Sequence, residues 1–163
     1  MKNHEMRQEL VQLGNGAHAL ATQILGNADD AADAVHDAFA KVLGKPDTYD
    51  ADKGPLKPWF LHIVRNRCID LIRRRRAGDA KVEQLSDPGA GPENSLEIAQ
   101  RDKELQLALT KLSTGQRQIV VLRDYMDLSY AEIANVLGIA SGTVMSRLHR
   151  ARLALKEELS RDG

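Results

Sequence analysis

Ser129-Tyr-Ala-Glu-Ile-Ala-Asn-Val-Leu-Gly138, continuing as Ile139-Ala-Ser-Gly-Thr-Val-Met-Ser-Arg-Leu-His-Arg-Ala-Arg152, is the stretch on which the reading of this chain turns. Ser129 with Glu132 three residues on is a capping box, and it opens a short helix to Leu137. Gly138 can take the positive φ of a tight turn, and Ser141 can cap a second helix. Ala134 is small where the two helices must approach. Ile133, Leu137, Ile139 and Val144 then form the buried wedge of a helix–turn–helix. Ser141, Thr143, Met145, Ser146, Arg147, His149 and Arg150 remain on or near the outer face of the second helix. Hydroxyls and guanidiniums there suit phosphate and base-edge contacts in the DNA major groove. An ordinary helical hairpin with a solvated basic face is the competing reading, and the spacing and turn chemistry favour DNA binding.

Outward from this motif the apolar spacing is helical throughout, with no convincing strand alternation. The last helix runs on through Leu148, Ala151, Leu155 and Leu159. Upstream, Ser113 with Gln116 is another capping box, opening a helix through Ile119, Val120, Leu122 and Met126. A helix from about Ser95 to Leu112 precedes it, with Leu105, Leu109 and Leu112 facing inward. In the first half, Met6, Leu10, Leu13, Ala17, Leu20, Ala21 and Ile24 mark a helix that Gly14 and Gly16 are expected to break. A second helix, capped by Asn27 or Asp29, carries Ala31, Ala32, Val35, Ala38, Phe39, Val42 and Leu43 on one stripe and ends at Gly44 and Pro46. After a turn-rich loop to Pro58, a third helix spans about Trp59 to Arg76, with Trp59, Phe60, Ile63, Val64, Cys68, Leu71 and Ile72 as its apolar face. Residues 77–94 hold prolines, glycines and acids without apolar period and read as a linker.

The fold class expected is therefore all-α. Two small helical domains, 1–76 and 95–163, are joined by a flexible linker, and the second is a four-helix domain bearing the helix–turn–helix. Lobes of this size have marginal cores by themselves, so the two are expected either to pack together or to move about the linker.

The 163 residues carry 23 basic and 23 acidic side chains, and a net charge of zero argues against a nucleic-acid partner if taken globally. Segment by segment it is a cancellation. Residues 1–52 hold 4 basic and 9 acidic groups, 53–76 hold 8 and 1, 77–100 hold 1 and 5, and 101–163 hold 10 and 8. The basic block, with Arg65, Arg67 and Arg73 to Arg76, is an electrostatic footprint for phosphates. Tyr49, Trp59 and Phe60 are candidates to stack on unpaired bases, although Trp59 and Phe60 are better read as core. In the acidic block, Asp30, Asp33 and Asp37 share a helix face, with Lys41 following, and fit a basic protein surface as well as they fit plain solvation.

Other classes are excluded. No Gly-rich phosphate loop, metalloprotease helix or nucleophile elbow occurs, which speaks against catalysis. His4, His18, His36, His62, His149 and Cys68 lack zinc-ligand spacing, so neither metal nor cofactor is expected. No apolar run approaches the roughly 18 residues of a membrane span, and the N-terminus lacks a signal-peptide core. A single cysteine fits a reducing cytoplasm.

These motifs in this order resemble the extracytoplasmic-function (ECF) group of bacterial RNA polymerase sigma factors, over about residues 10–160. Asp29 to Phe39 is similar to that family's core-polymerase-binding helix, Gly54 to Arg74 to its promoter-melting and −10 segment, and Gly142 to Arg152 to its −35-reading helix. The resemblance implies core RNA polymerase as partner through Asp30, Asp33, His36, Asp37 and Lys41. It implies −10 contacts from Tyr49, Lys53, Lys57, Arg65, Asn66, Arg67, Arg73, Arg74, Arg75 and Arg76, with the Tyr49–Lys57 loop capturing a flipped base. The −35 contacts would come from Ser141, Thr143, Met145, Ser146, Arg147, His149 and Arg150, and an anti-sigma factor would be the usual negative regulator. The chain departs from the family pattern at Ala32, His36, Ser113 and Met145. A helix–turn–helix regulator acting without polymerase, and a sigma mimic that sequesters an anti-sigma factor, are the alternatives.

Overall fold

The computed structural model describes residues 3–79 and 96–161, and from residue 80 on the expected linker lies outside the described residues. The first lobe is built from α1 (Asn3–Leu25), α2 (Ala28–Gly44) and α3 (Leu56–Arg74), each packed on the other two. Met6, Leu10, Ala17, Leu20, Ala21 and Ile24 of α1 are buried, as their spacing predicts. The expected break at Gly14 and Gly16 does not occur, and α1 is continuous. Packing overrides the propensity cost of about 1 kcal/mol per glycine. A Cβ at Gly14 would lie 3.8 Å from the Phe39 ring, and one at Gly16 would collide with the Met126 methyl group of the other lobe.

Of the two candidate caps, Asn27 closes the start of α2, its side chain accepting from the Asp29 and Asp30 amides at 2.8 and 3.1 Å. Ala31, Ala34, Val35, Ala38 and Val42 are buried beneath it, and Phe39 meets Phe60 at 5.0 Å between ring centroids. Ala32 is exposed rather than part of that stripe. The loop folds into two 3-10 turns, Pro46–Thr48 and Ala51–Lys53, and α3 starts three residues earlier than its apolar spacing predicts. Pro58 is tolerated there because first-turn amides have no helical acceptor to lose. Beyond Arg74 the chain kinks within Arg75–Asp79, where Gly78 leaves the helical region at φ 95°.

The second lobe comprises α4 (Leu96–Thr110), α5 (Thr114–Val120), α6 (Tyr130–Leu137) and α7 (Ser141–Arg161). Leu109 and Leu112 are buried, but Leu105 is exposed and Ala108 takes the inward position. The helix expected to run to Met126 changes at Val121–Tyr125 into a π-helical turn, in which the Met126 amide donates to the Val121 carbonyl at 3.0 Å. Asp127 follows with φ 57° and redirects the chain into α6.

The lobes are packed together, one of the two arrangements their size led us to expect. α3 lies against α6, and α1 against α5 and the π-helical turn. The buried apolar residues of both lobes form one contiguous core, from Met6 to Ala151.

Candidate nucleic-acid interface

The helix–turn–helix is assembled by local chemistry. Ser129 accepts from the Glu132 amide at 3.1 Å while the Glu132 carboxylate accepts from the Ser129 amide at 2.9 Å. Gly138 ends α6 in the left-handed region at φ 69°, and its amide and that of Ile139 donate to the Ala134 carbonyl at 2.8 and 3.1 Å. Val136, which the sequence reading did not single out, is fully buried with Ile133 and Val144, whereas Leu137 and Ile139 are only partly covered. The first intrahelical bond of α7 runs from the Val144 amide to the Ala140 carbonyl at 3.1 Å, so Ser141 opens the helix as its first residue instead of capping it.

The outer face of α7 then falls where its period dictates. Ser141, Met145, Ser146, Arg147, His149 and Arg150 are exposed, and Thr143 is half-buried. Arg152 is pinned by a two-pronged pair with the Asp124 carboxylate, whose hydrogen bond raises the guanidinium pKa further. Arg123 donates to the Leu128 carbonyl at 2.7 Å and lies 5.1 Å over the Tyr130 ring, which joins the π-helical turn to α6. Among the described residues Arg147 and Arg150 have no ion pair. With Arg65 of α3 they line a cleft of about 350 Å³ between the lobes.

The basic end of α3 is divided by its partners. Arg67 bonds Asp37 at 3.0 Å and Asp70 at 3.1 Å, Arg74 meets Asp70 at 3.4 Å, and Arg75 bonds Asp30 at 2.5 Å. Lys53, Arg73 and Arg76 are exposed. A further group turns toward the second lobe. Lys57 Nζ donates to the Met126 carbonyl at 3.2 Å and Arg65 Nε to Gln118 Oε1 at 2.8 Å. Burial lowers the pKa of Arg65. Asn66 bonds His62 at 3.1 Å, and His62 Nδ1 in turn bonds the Val136 carbonyl at 2.8 Å.

In the loop before α3, the Tyr49 hydroxyl donates to the Gly54 carbonyl at 2.8 Å and its ring packs 4.9 Å from Trp59. Burial, aided by Glu9 and Asp50, raises its pKa. The phenol is thus held inside the loop, beside a small cleft that also contains Lys53, His62 and Asn135. On α2, Asp33, His36 and Lys41 face outward, while Asp30 and Asp37 are the acids taken by Arg75 and Arg67. His62 and Gln118 are contacts that the sequence reading missed. Gln118 carried a signal, a polar side chain one residue from Ile119 on a short helix, but only the other lobe explains its burial. Among the described residues no cluster of His, Cys, Asp and Glu could hold a metal, and no helix is long and apolar enough to cross a membrane.

Two family models match the chain: Sigma-70 region 2 over residues 10–78 and Sigma-70, region 4 over residues 102–155. ECF RNA polymerase sigma factor SigE of Mycolicibacterium smegmatis is 34% identical over 94% of this chain, which spans 61% of that relative's length. ECF RNA polymerase sigma factor SigW of Bacillus subtilis is 30% identical over 87% of this chain and 82% of its own. Among solved structures, the sigma factor RpoE in complex with the anti-sigma factor NepR from Bartonella quintana superposes with a TM-score of 0.75 at 29% identity, covering 98% of this chain and 99% of that one. CnrH in complex with the cytosolic domain of CnrY gives 0.70 at 28%, covering 99% and 92%.

Proposed function

The chain belongs to the ECF group of bacterial RNA polymerase sigma factors, and we propose which of its surfaces meet polymerase and promoter. As a sigma factor it directs promoter-specific initiation by core RNA polymerase. The observation that carries the assignment of surfaces is the outer face of α7, where Arg147 and Arg150, exposed and without an ion pair among the described residues, lie above a helix–turn–helix closed by Gly138. On that face Ser141, Thr143, Met145, Ser146, Arg147, His149 and Arg150 read the −35 element. Lys53, Lys57, Arg65, Asn66, Arg67 and Arg73 to Arg76 hold the −10 element, with the Tyr49 loop receiving a base that leaves the stack. Unstacking costs a few kcal/mol, which favourable phosphate contacts along α3 offset.

The outward residues Asp33, His36 and Lys41 of α2, with Asp30 and Asp37, dock on core polymerase. Residues 1–76 and 95–163 form the two functional domains. The protein works by binding alone, without chemistry of its own, in the cytoplasm where polymerase acts. Its negative regulator is an anti-sigma factor, the kind of partner bound to the sigma factor RpoE of Bartonella quintana. A regulator independent of polymerase is not favoured, because both sigma regions are matched in order.

In vitro transcription with purified core polymerase and a promoter library tests this reading. Initiation confined to a −35/−10 class is expected. An active polymerase that starts nowhere specific when this protein is added would overturn it.

A further inference from the structure

One recess of the surface gathers cations that no acid answers. Arg65 reaches it from α3, and Arg147 and Arg150 reach it from α7. Its lining includes neither Asp nor Glu, and among the described residues none of the three guanidiniums has an ion pair. Arg65 donates through Nε to Gln118 Oε1 at 2.8 Å, while its two terminal nitrogens have no partner among the described residues. Gln118 lines the same cleft at 6% exposure, and its amide nitrogen likewise has no partner there. Among the described residues no fully enclosed polar side-chain atom lacks a partner, so this nitrogen opens on the cleft. We propose that the cleft is a binding site for a small ligand bearing a diphosphate, held by Arg65, Arg147 and Arg150.

Three like charges around one recess repel, and Arg65 is also partly stripped of water; a polyanion relieves both penalties. Guanidinium forks match phosphate oxygens two at a time, and Arg147 and Arg150, three residues apart on α7, present two forks side by side. The volume of about 350 Å³ lies within the range of roughly 300–1,000 Å³ that small-ligand sites occupy. The rest of the wall, Ile119, Leu137 and Ile139, is apolar and offers contact to the body of a nucleotide. A DNA duplex lies across the outer face of α7 and is too wide to enter a recess of this size. The site is therefore separate from promoter reading. A ligand in it would still engage Arg147 and Arg150 and compete with the −35 element, and that consequence alone rests on the −35 assignment.

Gly115 provides the test. It lines the cleft, a Cβ there meets nothing within 4 Å, and it belongs to none of the surfaces assigned to polymerase or promoter. Gly115→Glu sets a carboxylate against the three arginines, and an acid in the first turn of α5 favours the helix. Isothermal titration of the full chain with ADP should show saturable one-to-one binding. Gly115→Glu should weaken it by about tenfold or more. Arg150→Gln, which removes one fork at an exposed position, should do the same by about tenfold. Lys156→Gln makes an equal change in net charge at an exposed position of α7 outside the cleft, and should leave affinity within about twofold. Wild type that binds neither ADP nor pyrophosphate saturably overturns the proposal. So does an equal loss in Lys156→Gln, or indifference to both Gly115→Glu and Arg150→Gln.

Pyrophosphate, titrated in parallel, identifies the source of the phosphates. ADP binding at least about tenfold more tightly assigns the site to a nucleotide whose body meets the apolar wall, and equal affinity assigns it to the diphosphate group by itself. Transcription with core polymerase separates this proposal from the sigma assignment. Failure of the wild type to initiate would sink that assignment and leave the diphosphate site standing on its titration. Wild-type initiation without diphosphate binding would sink the site alone.

Discussion

Cys68 sits on the inner face of α3 with no exposed surface, and burial pushes its thiol from 9.0 to about 11, partly offset by the Arg67 charge. Between those values the unfolded chain has lost this proton and the folded chain still holds it, so stability falls as pH rises. At about 1.4 kcal/mol per unit the loss approaches 2–3 kcal/mol. Chemical denaturation at pH 8 and pH 11 should show it, and Cys68→Ala should flatten this part of the slope. At neutral pH the thiol should resist iodoacetamide until the first lobe unfolds. Arg150 makes a second prediction at this scale. Arg150→Ala should weaken binding to a −35 duplex by about 1–3 kcal/mol if its guanidinium reads a base edge, and fluorescence titration measures that. The exposure of Arg150 and the burial of Cys68 could both be read from helical period. The engagement of Arg65 could not, because its partner Gln118 lies 53 positions away.

Helix starts followed sequence where a capping box sets them, though not at Ser141, where a lone cap candidate was one residue off. The Ser113–Gln116 and Ser129–Glu132 boxes both close in both directions. Ser129→Ala should therefore cost the second lobe about 1 kcal/mol, read as a lower denaturation midpoint, with Ser129→Asp retaining most of it. Elements set by distant contacts were misjudged. α1 passes through two glycines because Phe39 and Met126 approach it there, and no window of local sequence records that approach. The π-helical turn at Val121–Tyr125 was hidden for a related reason: one extra residue per turn leaves the apolar pattern on either side helical. The early start of α3 reflects Pro55 and Pro58, which look like loop residues but are compatible with a first helical turn.

Over the whole molecule, the cancellation of charge acquires a partly structural cause. Two acids of the negative first block, Asp30 and Asp37, meet Arg75 and Arg67 of the positive block across the α2–α3 packing. Such half-exposed pairs each contribute at most about 1 kcal/mol, so they orient the two helices more than they hold them. The two-lobe plan could be read from sequence, whereas the shared core depends on surfaces more than 50 residues apart and could not. That core has a thermal consequence. Parting the lobes brings Met126 and the apolar rim around it into water, which carries a positive heat-capacity change. The attraction across the seam must then weaken on cooling, as hydrophobic contacts do. Scattering recorded at 5 °C and 25 °C should show the larger particle at the lower temperature; an unchanged particle would mean that hydrogen bonds dominate the seam. Cooling alone would thus loosen the packing of the two lobes on each other, without any ligand or modification.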